Sequence, residues 1–201
     1  MKQTHLLILD RAHGVNVAGK RSPDGKHLEY VWSNTIINKL TERLAKHDIT
    51  VATTVSDKNE PGLGVRIKRA NALALQASKQ GLIPLLISFH NNAAANTGWS
   101  NATGIEVFTT VGQTKSDKYA EICLDVLAKY FPTVRQRVDM SDGDKDKEAN
   151  FTVLTGKYYS AILIEFLFQD SVKDINLLLD SEINNRFLDA MEEFCVYINT
   201  R

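Results

Sequence analysis

The sequence predicts an α/β protein: a single three-layer α/β/α domain on a mostly parallel, mixed sheet of about six strands. Two observations lead there. Short apolar runs such as Leu6-Leu-Ile-Leu-Asp10 and Leu85-Leu-Ile-Ser-Phe-His90 alternate with segments whose apolar residues recur at helical spacing. That alternation is the pattern of a sheet layered between helices. Nor does any repeat, linker or step in composition divide the 201 residues, a length able to bury a substantial core in one unit. The expectation is one domain over 1–201, with no separate binding module.

Taken in order, residues 6–10 form the first strand. Residues 11–27 hold Gly14, Gly19, Pro23 and Gly25 and read as a loop about as long as functional loops run. A helix is predicted from Leu28, with Val31, Ile36, Ile37, Leu40 and Leu44 on one stripe and Glu29 in its first turn. Residues 49–54 make a second strand. Pro61-Gly-Leu-Gly64 breaks the chain before a helix over 65–79, which Gly81 ends. The third strand stops at His90, and 104–110 is the fourth. A helix over 116–130 is halted near Pro132. Residues 139–150 are nearly all polar and read as a solvated loop with no chemistry of its own. The most apolar strand is 161–168, and helices near 171–179 and 182–198 close the chain.

Lys plus Arg equals Asp plus Glu at 24 each, so no net field draws nucleic acid or anionic lipid. Cys123 and Cys195 sit in separate helix-like patterns and read as core residues rather than a disulfide. The first apolar run is too short for a signal-peptide core, and none approaches a membrane span. These features lead to the expectation of a chain that is cytoplasmic as synthesised and does not insert into membranes.

Three residues converge on one sheet edge, the carboxyl ends of the strands, where open α/β sheets do their chemistry. His13 follows the first strand, His90 ends the third, and Glu29 opens the helix that starts from the same edge. Two imidazoles and a carboxylate, with a fourth position open, are the ligand set of catalytic zinc. Plainer readings remain at this point. His90 fits a strand end held by a backbone carbonyl, and Glu29 fits a charge favouring a helix N-terminus. Glu165 is more unusual, because a carboxylate inside Ile162-Leu-Ile-Glu-Phe-Leu-Phe168 demands a compensating partner. Burial beside a metal raises a carboxyl toward the pKa a general base needs. A metal in turn lowers the pKa of water from about 15.7 toward about 7 and polarises a carbonyl. Together these describe amide hydrolysis.

The chain resembles the zinc-dependent N-acetylmuramoyl-L-alanine amidases of the amidase-3 type. Their L-D-P-G-H-G-G appears as Leu9-Asp10-Arg11-Ala12-His13-Gly14-Val15, and their helix-opening Glu as Glu29. Their R-x-x-x-A-N is matched by Arg66, Ala70 and Asn71, and their S-I-H-A-N-A by Ser88-Phe89-His90-Asn91-Asn92-Ala93. G-V-E-V appears as Gly104-Ile-Glu-Val107, and V-E-L-G-F as Ile164-Glu-Phe-Leu-Phe168, followed by Asp174, Leu177 and Leu178. The motifs run in order from Leu6 to about Ile198. Arg11, Ala12 and Val15 stand where the motif has a proline and two glycines, a difference that bears on the loop more than on the ligand.

The resemblance implies one Zn2+ per chain on His13, Glu29 and His90, with Glu165 as catalytic carboxylate. It implies a peptidoglycan or muropeptide substrate, cut between N-acetylmuramic acid and L-alanine. A monomer is expected, acting as a phage-type endolysin or as a remodelling or recycling enzyme. A zinc metallopeptidase or deacylase on another amide is the alternative, and a muropeptide-binding module without turnover a third. Glu106 is read as structural, and Arg66 and Asn71 as packing and hydrogen-bonding residues. His27 is a weaker competitor for the metal, and His5 and His47 are read as surface residues.

Overall fold

The structure is a computed structural model describing residues 3–200. Its elements are β1 (His5–Arg11), α1 (Glu29–Ala45), β2 (Val51–Thr53), α2 (Leu63–Lys79), β3 (Ile83–Asn92), β4 (Ile105–Thr109), α3 (Lys115–Tyr130), β5 (Lys147–Glu148), β6 (Ser160–Phe168), α4 (Asp174–Leu179) and α5 (Ser181–Asn199). One 3-10 turn, Thr152–Leu154, lies before β6. The six strands are ordered β2-β1-β3-β6-β4-β5. Only β4 against β6 is antiparallel; the other pairs are parallel.

Because side chains alternate across a strand, each apolar run feeds two cores. Leu7, Leu9, Ile87, Phe89, Ile162, Ile164 and Phe166 point to one face, under α1, α3 and α5. On that face Trp32 stacks on Phe166 at 5.9 Å, and Phe187 meets Phe166 at 4.1 Å. Truncating such a ring typically costs about 3–5 kcal/mol. Ile8, Leu86, Ala161 and Leu163 point the other way, onto Ala70 and Ala74 of α2 and onto Val153 and Leu154. Among the described residues, no helix is long and apolar enough to cross a membrane.

Three sequence expectations change. The third strand does not stop at His90 but runs to Asn92. The asparagines stay in the ladder because they find partners there: the Gln169 amide donates to the Asn92 carbonyl at 2.8 Å, and Asn91 Nδ2 donates to the Phe166 carbonyl at 2.7 Å. Residues 139–150 are not wholly solvated loop. They contain β5, the sixth strand, and Asp146 is buried with its carboxylate accepting from the Thr109 hydroxyl at 2.6 Å. His5 is not a surface residue but is buried at the start of β1, its Nε2 3.0 Å from the Tyr119 hydroxyl of α3. His47 is exposed, as expected, and both cysteines are free and buried in the core.

A register shift in β6 matters for the site. His90 pairs with Glu165, but Asn92 pairs with Phe168, so β6 carries one extra residue. The bulge falls at Leu167, whose φ is +64°. Phe166 and Leu167, though consecutive, consequently pack into the same core.

Candidate active site

The apolar runs of β1, β3 and β6 end in polar residues on the α2 face, and those residues form the floor of a cleft of ≈ 480 Å³. Asp10 and Ser88 are register partners, as are His90 and Glu165. Glu106 of β4 is the partner of Glu165 on its other side. His90, Glu165 and Glu106 therefore form a row across three strands.

The structure brings His13, Glu29 and His90 together, with their ligand atoms all within 4.8 Å of one another. Glu29 Oε1 lies 3.0 Å from His90 Nδ1 and 3.4 Å from His13 Nε2. The two rings meet edge to face at 5.1 Å. Glu29 is the first residue of α1, and no side chain caps that helix. Its carboxylate instead turns inward to the histidines. The Asn91 amide donates to Oε1 at 3.2 Å, and Gln169 Nε2 donates to Oε2 at 2.9 Å. Burial acts to raise the Glu29 carboxyl, but the hydrogen bonds and charge of His13 and His90 outweigh it and hold it far below the usual carboxylate range. Burial acts to lower the half-buried His90, but the hydrogen bond and charge of Glu29 outweigh it and hold it above an ordinary histidine.

His13 is placed by a tightly held loop. Its φ is +48°, in the left-handed region. Arg66 Nη2 donates to the His13 carbonyl at 3.1 Å while Nη1 donates to Asp10 at 3.0 Å and to the Arg11 carbonyl. Glu60 closes the cluster, its carboxylate accepting from Arg66 Nε at 2.8 Å. Arg66 is thus a hydrogen-bonding residue, as read from sequence, but one that lines the cleft and holds the loop. Arg11, where the family motif has proline, braces the turn by donating from Nε to the His13 carbonyl at 3.2 Å and from Nη2 to the Asp57 carbonyl at 2.7 Å. Gly14 is dictated by space: a Cβ there would collide with the Glu60 backbone.

Glu165 faces this group with its Oε2 buried and unpartnered. Burial first, then the carboxylates of Glu29 and Glu106, push its pKa up to about 8 against the pull of His90. Glu106 is the opposite case, accepting from Arg137 Nε at 2.5 Å, Lys147 Nζ at 2.8 Å and Asn92 Nδ2 at 2.5 Å. His27 lies outside the metal-binding group, its Nε2 2.8 Å from Asn91 Oδ1. Asn71 is remote from the cleft floor and accepts from the Lys157 amide at 3.0 Å. Sequence reasoning missed Gln169, which follows the bulge, and the orienting role of Asn91. A polar residue directly after the most apolar strand was the available signal for Gln169.

The donor set fits a zinc ion. Two imidazoles and a carboxylate are its usual partners at an open site, and donors on a tetrahedral ion with bonds near 2 Å sit about 3.3 Å apart. The two distances to Glu29 bracket that value.

Comparison with known proteins agrees with this fold. The family model described as N-acetylmuramoyl-L-alanine amidase matches residues 7–194. The chain belongs to that family, and the enzyme type is that of an N-acetylmuramoyl-L-alanine amidase. Similar solved structures include the N-acetylmuramoyl-L-alanine amidase from Clostridium difficile 630, at 25% identity and TM-score 0.79, covering 98% of this chain and 97% of that one. AmiC2 of Nostoc punctiforme matches at 20% identity and TM-score 0.78 over 98% of both chains. Ami1 from Mycobacterium smegmatis matches at 16% and 0.76, over 98% of this chain and 97% of that one. The last two bear on the fold alone. No curated protein matches the sequence significantly.

Proposed function

We propose that His13, Glu29 and His90 hold one zinc ion and that Glu165 is the catalytic carboxylate. The reaction is hydrolysis of the amide joining the lactyl group of N-acetylmuramic acid to L-alanine in peptidoglycan or its fragments. The observation that carries this reading is the convergence of three donors from β1, α1 and β3 around a buried carboxyl left without a partner. A bound zinc ion would polarise the scissile carbonyl and make water more acidic.

The chain's own groups do the rest. Gln169 and the Asn91 amide hold the Glu29 carboxylate in one orientation, the kind of support that fixes metal-site geometry. Arg66, tied to Asp10 and Glu60, keeps the His13 loop rigid. Glu165 takes the proton of the attacking water and returns it to the nitrogen as the C–N bond breaks, leaving a carboxylic acid and a free amine. Its raised pKa suits both transfers, since a carboxyl near neutrality gains and loses a proton at little cost. Phe151, Leu63 and Val17 supply apolar walls to the cleft, and Lys20 a positive one. The chain acts as a single catalytic domain and a monomer.

The test is metal content and product together. About one zinc per chain is expected, lost in His13→Ala and His90→Ala, with free L-alanine amino ends released from purified cell wall and none after chelation. Activity surviving chelation overturns the zinc assignment. Release of acyl groups or internal peptides in place of intact stem peptide would point to a deacylase or peptidase. Comparing intact sacculi with soluble muropeptides separates a wall-lysing role from a recycling one.

A further inference from the structure

The outer edge of the sheet holds a second group of carboxylates that amide hydrolysis does not use. Between α3 and β6 the chain runs Asp139-Met-Ser-Asp-Gly-Asp-Lys-Asp-Lys-Glu148, five acids against two lysines. The loop closes on itself, with the Asp139 amide donating to the Lys145 carbonyl at 3.2 Å. Its last turn drives Asp146 into the protein, where it is 2% exposed. Asp146 Oδ2 accepts from the Thr109 hydroxyl, but Oδ1 is buried with no partner. Asp144 lies against it, and its Oδ1 too is buried and unpartnered.

Two carboxylates in hydrogen-bonding contact, each with an enclosed oxygen that no N–H or hydroxyl reaches, are costly unless a cation or a shared proton lies between them. Both lysines of the segment are turned away. Lys145 Nζ is 2.6 Å from Asp125, and Lys147 Nζ is 2.8 Å from Glu106. Gln113 Nε2 reaches the outer oxygens of Asp142 and Asp144 at 3.2 and 3.3 Å, but not the inner pair. The unfilled demand is for positive charge and for oxygen-binding chemistry.

We infer that the Asp144–Asp146 pair is a calcium site, formed where the 139–148 segment folds against β4. Calcium takes roughly six to eight oxygens, several of them backbone carbonyls and water, in flexible geometry. Two side-chain carboxylates in a glycine-containing loop meet that need, whereas a zinc site wants the tighter convergence seen at His13, Glu29 and His90. Burial, reinforced by Asp144 and Asp117 and opposed by the Thr109 hydroxyl, pushes Asp146 up to about 7, the strain a bound cation relieves. The site has a route to the cleft. Lys147, next to Asp146, holds Glu106 beside Glu165, and three residues past Lys147 the chain enters the cleft wall at Asn150 to Val153. Calcium would fix that wall.

Calcium chloride titrated into the chelator-treated whole chain, against sodium chloride of matched ionic strength and against magnesium chloride, tests this. We expect 1 mM Ca2+ to raise Tm by at least about 3 °C and to slow hydrogen exchange over 142–150, with magnesium at least tenfold weaker. Asp144→Asn, at the less buried member of the pair, should abolish the calcium response, as should Asp146→Asn, while His13→Ala keeps it. No response beyond ionic strength overturns the site, as does a response that survives Asp144→Asn. A response to magnesium alone overturns the calcium assignment. Stabilisation by Asp146→Asn in a wild-type background deaf to calcium would mean that the pair shares a proton, which also overturns it.

Discussion

Glu165 and Glu106 are neighbours on adjacent strands, on the same face of the same sheet, and the protein treats them in opposite ways. Glu106 has Arg137, Lys147 and Asn92 around its carboxylate, and although burial acts to raise it, their hydrogen bonds and charge hold it below the ordinary range. Glu165 has a buried oxygen with no partner and is pushed up to about 8. Burial alone does not distinguish them. What differs is where the cations are: Arg137 and Lys147 bond directly to Glu106, while Glu165 feels His90, which also contacts Glu29, and Lys20 of the cleft wall without a hydrogen bond to its buried oxygen. A carboxylate with its charges supplied is held as an ion, and one kept without them holds its proton toward neutral pH.

Replacing Glu165 by Gln breaks the comparison most severely. Turnover on cell wall should fall by about a thousandfold, while circular dichroism and zinc content stay as in the wild type. Loss of zinc would instead make Glu165 a ligand. Second in size is Gln169→Leu, which removes the donor beneath Glu29. Zinc affinity should drop about 10–100-fold by competition with a chromophoric chelator, and kcat at saturating zinc should fall far less. Glu106→Gln comes third. It leaves Arg137 and Lys147 without their acid at a half-buried position, and urea unfolding should show a loss of about 1–2 kcal/mol, with activity affected much less than by Glu165→Gln.

The smallest effect sharpens the contrast through pH. In the metal-free protein Glu165 ionises at about 8, against 4.5 ordinarily. Between those values the folded state keeps a proton that the unfolded chain has lost, so stability falls as pH rises. Glu165→Gln removes this dependence. Relative to wild type, chelator-treated Glu165→Gln should gain on the order of 1–2 kcal/mol from pH 5 to pH 6.5. Equal stability differences at both pH values would show that Glu165 is already ionised at pH 5.

Much of this was legible in the chain itself. The strands that carry the site are apolar runs with a polar residue at the end, as at His90, or in the middle, as at Glu165, so both announce themselves by contrast with their neighbours. Glu29 was readable because the start of a helix after a strand-end loop has a fixed place in a layered α/β fold. What escaped depends on tertiary partners. Asn91 and Asn92 look like the start of a loop until Phe166 and Gln169 pair with them across the sheet. β5 is two residues long, and its polar composition hides a strand formed only because Thr109 and Glu106 engage Asp146 and Lys147. His5 looks exposed near a terminus, but Tyr119 of α3 and Asn199 of α5 both bond to it and it is buried. Arg66 carried a motif, but its hold on the His13 loop runs through Asp10, 56 residues away, and through Glu60 just before α2, and neither partner is visible in periodicity.

The extra residue at Leu167 has an architectural consequence. It flips the phase of the pleat just downstream of Glu165, so that position 169 lands beneath Glu29 rather than on the cleft side with Glu165. Were these same residues paired without a bulge, in strict alternation, position 169 would fall on the same side as Glu165 and Glu29 would lose that amide. The acid and the amide beneath Glu29 are thus spaced by an irregularity, and this run of residues presents both only because it is bulged.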